Sequence, residues 1–405
     1  MTLPRGEVRA TTLATGEVFG ELTKELQALK AADLYRAPRV FEGRADRVVI
    51  KDGRELLCFA SNNYLGLTAD EAVIRAASEA ALRYGTGSGA SRLVSGTMEL
   101  HVRLEEDLAS FKKTEAVLLF GSGFAANLGT ITALVGPEDV IYTDRLNHAS
   151  IIDGSRLSKA RLEVYAHADA DDLESKLARN KNPGRRRLIV TDGVFSMDGD
   201  LAPLPRILDL AEAYDAWVLV DDAHASGVIG PRGAGTADYY GVDSPRLIRL
   251  GTLSKAFGGE GGFVAGPADL VDYLRHKARP FVFSTAPSPA TVATALKALE
   301  IVKTEPHRRE RLRSNAERLR EGLRSLGYSV PGGPTPILPI MIGEPGRAVA
   351  LSKALEEWGV LAPAIRPPTV PNGTSRLRVT AMATHTDSDI DRALRAFREV
   401  RRSTP

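Results

Sequence analysis

The sequence predicts an α/β protein: a larger part built on a mainly parallel sheet covered by helices on both faces, then a smaller α+β domain. Three observations carry that expectation. Between about residues 70 and 290, helical stretches alternate with short apolar runs ending in glycine or polar residues, the pattern of parallel strands joined by crossover helices. Beyond Pro287 and Pro289 comes a long helical stretch with Leu312, Leu319, Leu323 and Leu326 on one face, then a Pro331-Gly332-Gly333-Pro334 break and a strand-like run at 337–342. The chain's 405 residues also exceed one ordinary core. The divisions read as an N-terminal helix and hairpin over 1–60, a large domain over 61–290 and a small domain over 291–405.

Taken in order, Val18, Phe19, Leu22, Leu26 and Leu29 fall at helical spacing and predict an amphipathic first helix over 18–32. Val48-Val49-Ile50 and the apolar run 56–59 flank Lys51-Asp52-Gly53-Arg54, which predicts a hairpin closed on an Asp-Gly turn. Residues 72–84 are alanine-rich and helical, and Leu100, Leu104, Leu108 and Phe111 make the next helix stripe. The runs 116–120, 188–191, 217–221, 247–250 and 263–265 read as buried strands. Helices over about 347–358 and 388–402 complete the small domain. The arginines of 308–324 alternate with Glu310, Glu317 and Glu321 and read as a solvated helix face.

A formal charge of +2 argues against a chain that wraps nucleic acid or a membrane surface, and points to small molecules or other subunits as partners. No apolar stretch of signal-peptide length follows Arg5 and Arg9 and no run approaches a membrane span, so a cytoplasmic location is expected. Cys58, in Leu56-Leu57-Cys58-Phe59, reads as a small buried hydrophobe, and no metal site is expected.

Ligands of parallel sheets bind beyond the carboxyl ends of the strands, so the residues after each run carry the candidate chemistry. Leu250-Gly251-Thr252-Leu253-Ser254-Lys255-Ala256-Phe257-Gly258-Gly259 holds a lysine among glycines and small hydroxyl residues. Partial desolvation there lowers the pKa of its amine, which suits Lys255 to act as nucleophile and base toward a cofactor carbonyl; a solvated loop charge is the bland alternative. In Val218-Leu219-Val220-Asp221-Asp222-Ala223-His224, successive strand residues point to opposite faces, so only one aspartate can address a ligand. A carboxylate there would keep a pyridinium nitrogen protonated, or else cap a loop, and His224 could bond a phenolic oxygen of the same ring.

Phe120-Gly121-Ser122-Gly123-Phe124-Ala125-Ala126-Asn127 turns from strand to helix, and the free N–H groups and dipole of such a start suit a phosphate. Asn147-His148-Ala149-Ser150 follows the apolar segment Val140-Ile141-Tyr142 and places His148 to stack on a flat ring. Ser196, in Gly193-Val194-Phe195-Ser196-Met197-Asp198-Gly199-Asp200, follows another strand, and Ser284 and Thr285 offer further hydroxyls for phosphate. Gly85-Thr86-Gly87-Ser88-Gly89-Ala90 matches a relaxed dinucleotide fingerprint but follows a helix instead of a strand, so it reads as a loop lining a substrate channel.

Together, Asn62-Asn63-Tyr64-Leu65-Gly66-Leu67, the 85–96 loop, Ser122-Gly123-Phe124, Asn147-His148-Ala149-Ser150, the 193–199 run, Asp221-Asp222-Ala223-His224 and Thr252-Leu253-Ser254-Lys255 resemble, in order and spacing, the α-oxoamine synthases. The resemblance covers roughly residues 20 to 400. It implies the aminotransferase-like fold type I of pyridoxal-phosphate-dependent transferases, a homodimer with active sites at the subunit interface, and pyridoxal 5'-phosphate as cofactor. It implies Lys255 as the Schiff-base lysine, Asp221 as partner of the ring nitrogen, His148 as the stacking histidine and His224 as the histidine near the ring oxygen. Ser122, Gly123, Phe124, Ser196 and Thr252 match cofactor contacts, with Ser284 and Thr285 toward the phosphate, Thr285 from the other subunit. Asn62 and Arg378 match groups that hold an amino-acid carboxylate. The implied activity condenses an amino acid with an acyl-CoA or acyl-carrier thioester, usually with loss of carbon dioxide.

Gly199-Asp200-Leu201-Ala202-Pro203-Leu204 and Ala364-Ile365-Arg366-Pro367-Pro368-Thr369-Val370-Pro371 resemble the members that join L-alanine to a pimeloyl thioester in biotin biosynthesis. Arg36, Arg366 and Thr369 would then face the acyl substrate. Tyr35-Arg36-Ala37-Pro38-Arg39 in place of successive arginines, Ala90-Ser91-Arg92-Leu93 in place of a Gly-Ser-Gly-His type of loop, and Lys277-Ala278-Arg279-Pro280-Phe281 lean towards members that use glycine and acetyl-CoA. Arg-Pro-Pro is shared with those that condense serine with palmitoyl-CoA. The alanine and pimeloyl reading stands first. Outside the family, a transaminase would share Lys255 and Asp221 without using CoA, and a non-catalytic dimer partner would be expected to lack Lys255.

Overall fold

The computed structural model describes residues 19–180 and 185–403. Its strands, in chain order, are β1 (Val48–Lys51), β2 (Arg54–Cys58), β3 (Ala116–Phe120), β4 (Val140–Asp144), β5 (Arg161–Tyr165), β6 (Arg187–Asp192), β7 (Trp217–Asp221), β8 (Leu247–Thr252), β9 (Gly262–Gly266), β10 (Ile337–Gly343), β11 (Val360–Leu361), β12 (Ala364–Ile365) and β13 (Ser375–Thr380). A seven-stranded sheet runs β3-β9-β8-β7-β6-β4-β5. Pairs from β8 to β5 are parallel, while β9 runs against both its neighbours. Helices bury both faces, so β4, β7 and β8 are almost wholly buried and largely apolar, as the expectation for a mainly parallel sheet requires; their polar residues are Thr143 and Asp144 at the end of β4, Asp221 at the end of β7, and Arg249 and Thr252 in β8. Leu219 packs into the cluster on one face, with Leu118, Ile141 and Val190, whereas Val218 and Val220 join Tyr142 and Ile189 on the other.

The fold brings the carboxyl ends of β4, β6, β7 and β8 to one edge of the sheet, because parallel neighbours finish together. That edge is where the candidate residues emerge. β3 and β7 match their predicted runs to the residue, β6, β8 and β9 extend theirs by a residue or two, and β5 is new. Its sequence, Arg161-Leu162-Glu163-Val164-Tyr165, lies half exposed at the sheet margin, so it carries no continuous apolar run to read.

The hairpin is present, with Asp52 at φ 50° and Gly53 at φ 71°, the left-handed pair that a tight two-residue turn demands. Strand β2 also pairs in parallel with β11, so the N-terminal hairpin shares a sheet with the C-terminal part of the chain. The first helix, Gly20–Ala31, shows its predicted apolar stripe, yet Phe19, Leu22, Leu26 and Leu29 are all exposed. Val18, Arg5 and Arg9 lie outside the described residues. The long helical stretch is two helices, Pro289–Thr304 and Pro306–Ser325, divided where Pro306 removes a backbone donor. Its arginines are not simply solvated. Arg320 is buried and donates to the Thr335 carbonyl at 3.0 Å, while Arg308 reaches Asp70 at 2.8 Å and Arg318 reaches Asp391 at 2.7 Å. Sequence-local glutamates also take part, Glu317 pairing with Arg320 and Glu305 with Arg308 at 2.7 Å, and tertiary packing adds the more distant partners.

Among the described residues no helix is long and apolar enough to cross a membrane, and no cluster of ligating side chains could hold a metal. Cys58 is buried, as expected.

The two adjacent aspartates diverge as the strand geometry predicts. Asp222 turns to the face where the buried Lys112 lies: Nζ is 3.3 Å from its Oδ2 and donates to Ser226 Oγ and the Ala234 carbonyl, both at 2.7 Å. Removing one partner of a buried pair strands the other charge. Asp222→Ala is therefore expected to lower unfolding stability by about 3–5 kcal/mol, read by denaturant titration.

Candidate active site

Asp221 ends β7 and is buried. Its Oδ1 accepts the Ala223 N–H at 2.8 Å and its Oδ2 accepts Asn127 Nδ2 at 2.7 Å. Asn127 sits one turn into the helix Gly123–Leu134, on the face that looks back over the strand ends. Its other N–H donates to Ser150 Oγ at 2.9 Å, and that hydroxyl meets His148 Nδ1 at 2.7 Å. A carboxylate accepts only, so Asp221 dictates which way the Asn127 amide points. Ser150 then donates to His148 Nδ1, which leaves the proton of the neutral ring on Nε2. Burial holds the His148 pKa below its ordinary value, with Asp221 opposing and Lys255 assisting.

Lys255 follows β8 and is half-buried, with no hydrogen-bond partner for Nζ among the described residues. Burial lowers its pKa, against the opposing pull of Asp221 and then Asp192. Asp192 ends β6 directly beside Asp221 in the strand register. Burial and then the Asp221 charge push its carboxyl well above the usual range, and its Oδ2 accepts the His148 N–H at 2.7 Å.

His224 Nδ1 is 2.6 Å from the Tyr64 hydroxyl. Burial drives its pKa well below the ordinary value, followed by the charges of Lys255 and Arg378, so the ring is neutral. Arg378 on β13 donates to Tyr64 Oη at 3.3 Å, to Asn62 Oδ1 at 3.1 Å and to the Ser196 carbonyl. With its oxygen accepting from Arg378, Tyr64 has one proton to give, and His224 Nδ1 at 2.6 Å is a nearer acceptor than Asn62 Oδ1 at 3.2 Å, an arrangement that suits the Nε2–H tautomer.

The structure thus joins Lys255, Asp221, His148, His224, Asn62, Arg378 and the Ser196 carbonyl in one region. At the helix start, Ser122 Oγ caps the Ala125 N–H at 3.0 Å, leaving the N–H groups of Gly123 and Phe124 without intrahelical acceptors. A Cβ at Gly123 would lie 3.3 Å from Thr252 Cβ, tighter than ordinary van der Waals contact, so the helix start and Thr252 approach closely here. Thr252 Oγ1 bonds the Gly261 carbonyl at 2.8 Å and Ser254 Oγ at 2.7 Å. Ser284 and Thr285 stand apart: both are exposed, and Thr285 bridges to Ser91 without bonding any strand-end residue described here. Arg36, Arg366 and Thr369 gather elsewhere, at a cleft of about 870 Å³. There Arg36 donates to Thr369 Oγ1 at 3.0 Å and to the Arg366 carbonyl, while Arg366 reaches back to the Asp33 carbonyl.

Sequence reasoning gave no role to Tyr64, Asn127 or Asp192. Asn127 was signalled only by its place four residues after Gly123, and Asp192 by ending a strand at the same level as Asp221. Arg92, read as a departure that bears on substrate choice, points inward and binds Glu105 through both guanidinium ends at 2.9 and 2.8 Å. It anchors the 85–96 loop.

A free amine, a braced carboxylate beside it, an imidazole and an uncapped helix start form a donor set that fits pyridoxal phosphate. Comparison with known proteins agrees. Residues 54–397 match the family model for aminotransferase class I and II. The chain is 50% identical to 8-amino-7-oxononanoate synthase of Geobacter sulfurreducens, over 93% of this chain and 96% of that one. It is 48% identical to the Exiguobacterium sibiricum protein of the same name, over 94% and 98%. Among solved structures, Sphingomonas wittichii serine palmitoyltransferase matches with a TM-score of 0.90 at 33% identity, covering 96% of this chain and 98% of that one. Francisella tularensis 8-amino-7-oxononanoate synthase matches with a TM-score of 0.74 at 27% identity, covering 86% and 98%.

Because Asp221 is the largest influence opposing the fall in the Lys255 pKa, removing it should lower that pKa further. In cofactor-free protein, competitive amine labelling of Lys255 followed across pH is expected to shift to lower pH in Asp221→Ala. A shift to higher pH would contradict the assignment.

Proposed function

The chain belongs to the class I and II aminotransferases and, within them, to the α-oxoamine synthases, and from that premise we propose that it joins L-alanine to a pimeloyl thioester, releasing carbon dioxide and the thiol to give 8-amino-7-oxononanoate for biotin synthesis. Its architecture is that of the fold type I pyridoxal-phosphate transferases. The observation that carries the reading is a half-buried lysine amine, without a hydrogen-bond partner among the described residues, whose charge is acted on by burial and then by Asp221, Asp192 and Arg378.

Lys255, Asp221, His148, Ser122, Gly123, Phe124, Ser196 and Thr252 are the residues to hold pyridoxal phosphate, with Ser284 and Thr285 serving its phosphate. When bound, the cofactor supplies an aldehyde for the substrate amine and a protonated ring that draws electrons from the α-carbon. Asn62 and Arg378 hold the alanine carboxylate and so orient the bond to be broken. Lys255 Nζ, its pKa lowered by burial, takes the α-proton and returns one after carbon dioxide has left. His224, neutral and protonated on Nε2, donates a hydrogen bond to developing oxygen charge. Burial, and then the charge of Asp221, raise the Asp192 carboxyl well above its usual range, and Asp221 is the acid that answers the ring nitrogen. The Arg36, Arg366 and Thr369 cleft is basic on the side that would meet the acidic end of a pimeloyl chain. With Arg92 committed to Glu105, the glycine and acetyl-CoA reading loses one of its supports.

Serine palmitoyltransferase chemistry is the second reading, favoured by the closer backbone match to that enzyme. Thiol release from pimeloyl, acetyl and palmitoyl thioesters, each with alanine, glycine and serine, separates the readings. Alanine with pimeloyl is expected to give the highest kcat/KM, and Lys255→Ala is expected to reduce turnover at least about a thousandfold. Fastest turnover of serine with palmitoyl-CoA would instead support the second reading.

The enzyme is taken to act in the cytoplasm as a homodimer. Support for the dimer comes from a surface unit in which Ala286 N–H bonds the Ala90 carbonyl at 3.0 Å and Ser88 Oγ bonds the Pro287 carbonyl at 2.6 Å. It exposes Leu93, Val94 and Phe283, which a second copy would cover while receiving Thr285 in its own site. Phe283→Asp is expected to yield monomers in sedimentation and to weaken cofactor binding by about tenfold or more; an undiminished dimer would contradict this surface.

A further inference from the structure

His167 lies in the turn after β5 and takes no part in the mechanism above. Its Nδ1 is 3.1 Å from Asp144 Oδ1, and its Nε2 is 2.8 Å from Asp200 Oδ2. Carboxylates only accept, so both bonds form together only when both ring nitrogens carry protons. The residue is therefore a cation held between two acids. Burial opposes that charge, but the bonds to Asp144 and Asp200 outweigh it and raise the pKa to about 10.

The two acids differ in kind. Asp144 is a fixed post: it ends β4, is buried, and accepts the Leu146 N–H at 2.8 Å and the Ala168 N–H at 2.7 Å. Asp200 belongs to the loop between β6 and the helix Leu204–Ala213. That loop closes on itself through Phe195 N–H to the Asp200 carbonyl at 3.0 Å, and the Phe195 ring stands edge-on to His167 at 4.4 Å. The next residue, Ser196, gives its carbonyl to Arg378, and Met197 gives its own to Arg376 at 3.1 Å. Thr335 holds the Gly199 carbonyl at 2.7 Å. One side of the loop is thus fastened to β10–β13 and the segment before them, whereas His167 fastens the other side to the large sheet.

We propose that His167 is the positioning residue of this loop: by tying Asp200 to Asp144 it sets the Ser196 carbonyl that aims Arg378, and so controls affinity for the amino-acid substrate. The inference rests on the reading that Arg378 holds the alanine carboxylate. A loop freed at Asp200 still contains every group that touches substrate, but Arg378 loses a fixed acceptor for its Nε. Alanine binding should suffer while the acyl cleft, lined by Arg36, Arg366 and Thr369, should not.

The test compares His167→Gln and Asp200→Asn with the parent holoenzyme. Both variants are expected to raise KM for alanine about tenfold, with kcat and the KM for the pimeloyl thioester within about twofold. Amide hydrogen exchange should quicken about tenfold in residues 195–199 while β7 stays protected. Equal loss for both substrates, an unchanged alanine KM, or exchange that rises evenly through the chain would overturn the proposal. Should His167→Gln fail to fold, Asp200→Asn carries the same expectation from the other end of the bond. If the parent itself shows no alanine-dependent thiol release, the functional reading falls, and the local exchange measurement still decides whether His167 fixes the loop.

Discussion

Holding a half-buried amine and two buried carboxylates together at neighbouring strand ends is the constraint around which this molecule is arranged. Asp192 and Asp221 stand side by side in the register of β6 and β7, and Lys255 follows β8, the next strand over. Desolvation alone would discharge these groups. Burial lowers the pKa of Lys255 against the pull of Asp221 and Asp192, and it raises that of Asp192 with the Asp221 charge adding to the rise, so the groups answer to one another. A parallel sheet makes the arrangement possible, because neighbouring strands finish on one edge and side chains from separate sequence segments meet there.

The polar groups around that edge support one another in defined directions. Asn127 presents both its N–H groups, one to Asp221 and one to Ser150, and its buried Oδ1 has no partner among the described residues. That unmet acceptor is a cost the site carries to keep Asp221 oriented. Tyr64 does for His224 what Ser150 does for His148, each hydroxyl meeting a ring Nδ1 and leaving the proton on Nε2. Arg378 arrives from the C-terminal sheet and Asn62 from the segment after the N-terminal hairpin, so the region closes only when distant parts of the chain pack. The pairing of β2 with β11 ties those two parts together.

Much of this was legible in the sequence because it is written in local patterns. Strands buried on both faces leave apolar runs, so β3 and β7 could be bounded to the residue, and the residues just beyond them could be examined for chemistry. The alternation of side chains along a strand foretold that Asp221 and Asp222 would part, and Asp222 indeed faces Lys112. What escaped was non-local. Nothing near Arg92 announces Glu105 as its partner, nothing near Arg320 announces the Thr335 carbonyl, and the half-exposed β5 lacks the apolar signature that marks its neighbours. His167 was unreadable for the same reason, since the acids that flank it come from β4 and from a loop beyond β6.

The measurement that bears most directly on the account is the identity of the residue that binds the cofactor covalently. Protein incubated with pyridoxal phosphate, reduced with borohydride and mapped by peptide mass spectrometry should carry the reduced adduct on Lys255, with absorbance typical of a bound imine before reduction. Stable labelling of a different lysine, or none at saturating cofactor, would contradict the central claim that the half-buried amine beside Asp221 is the reactive group.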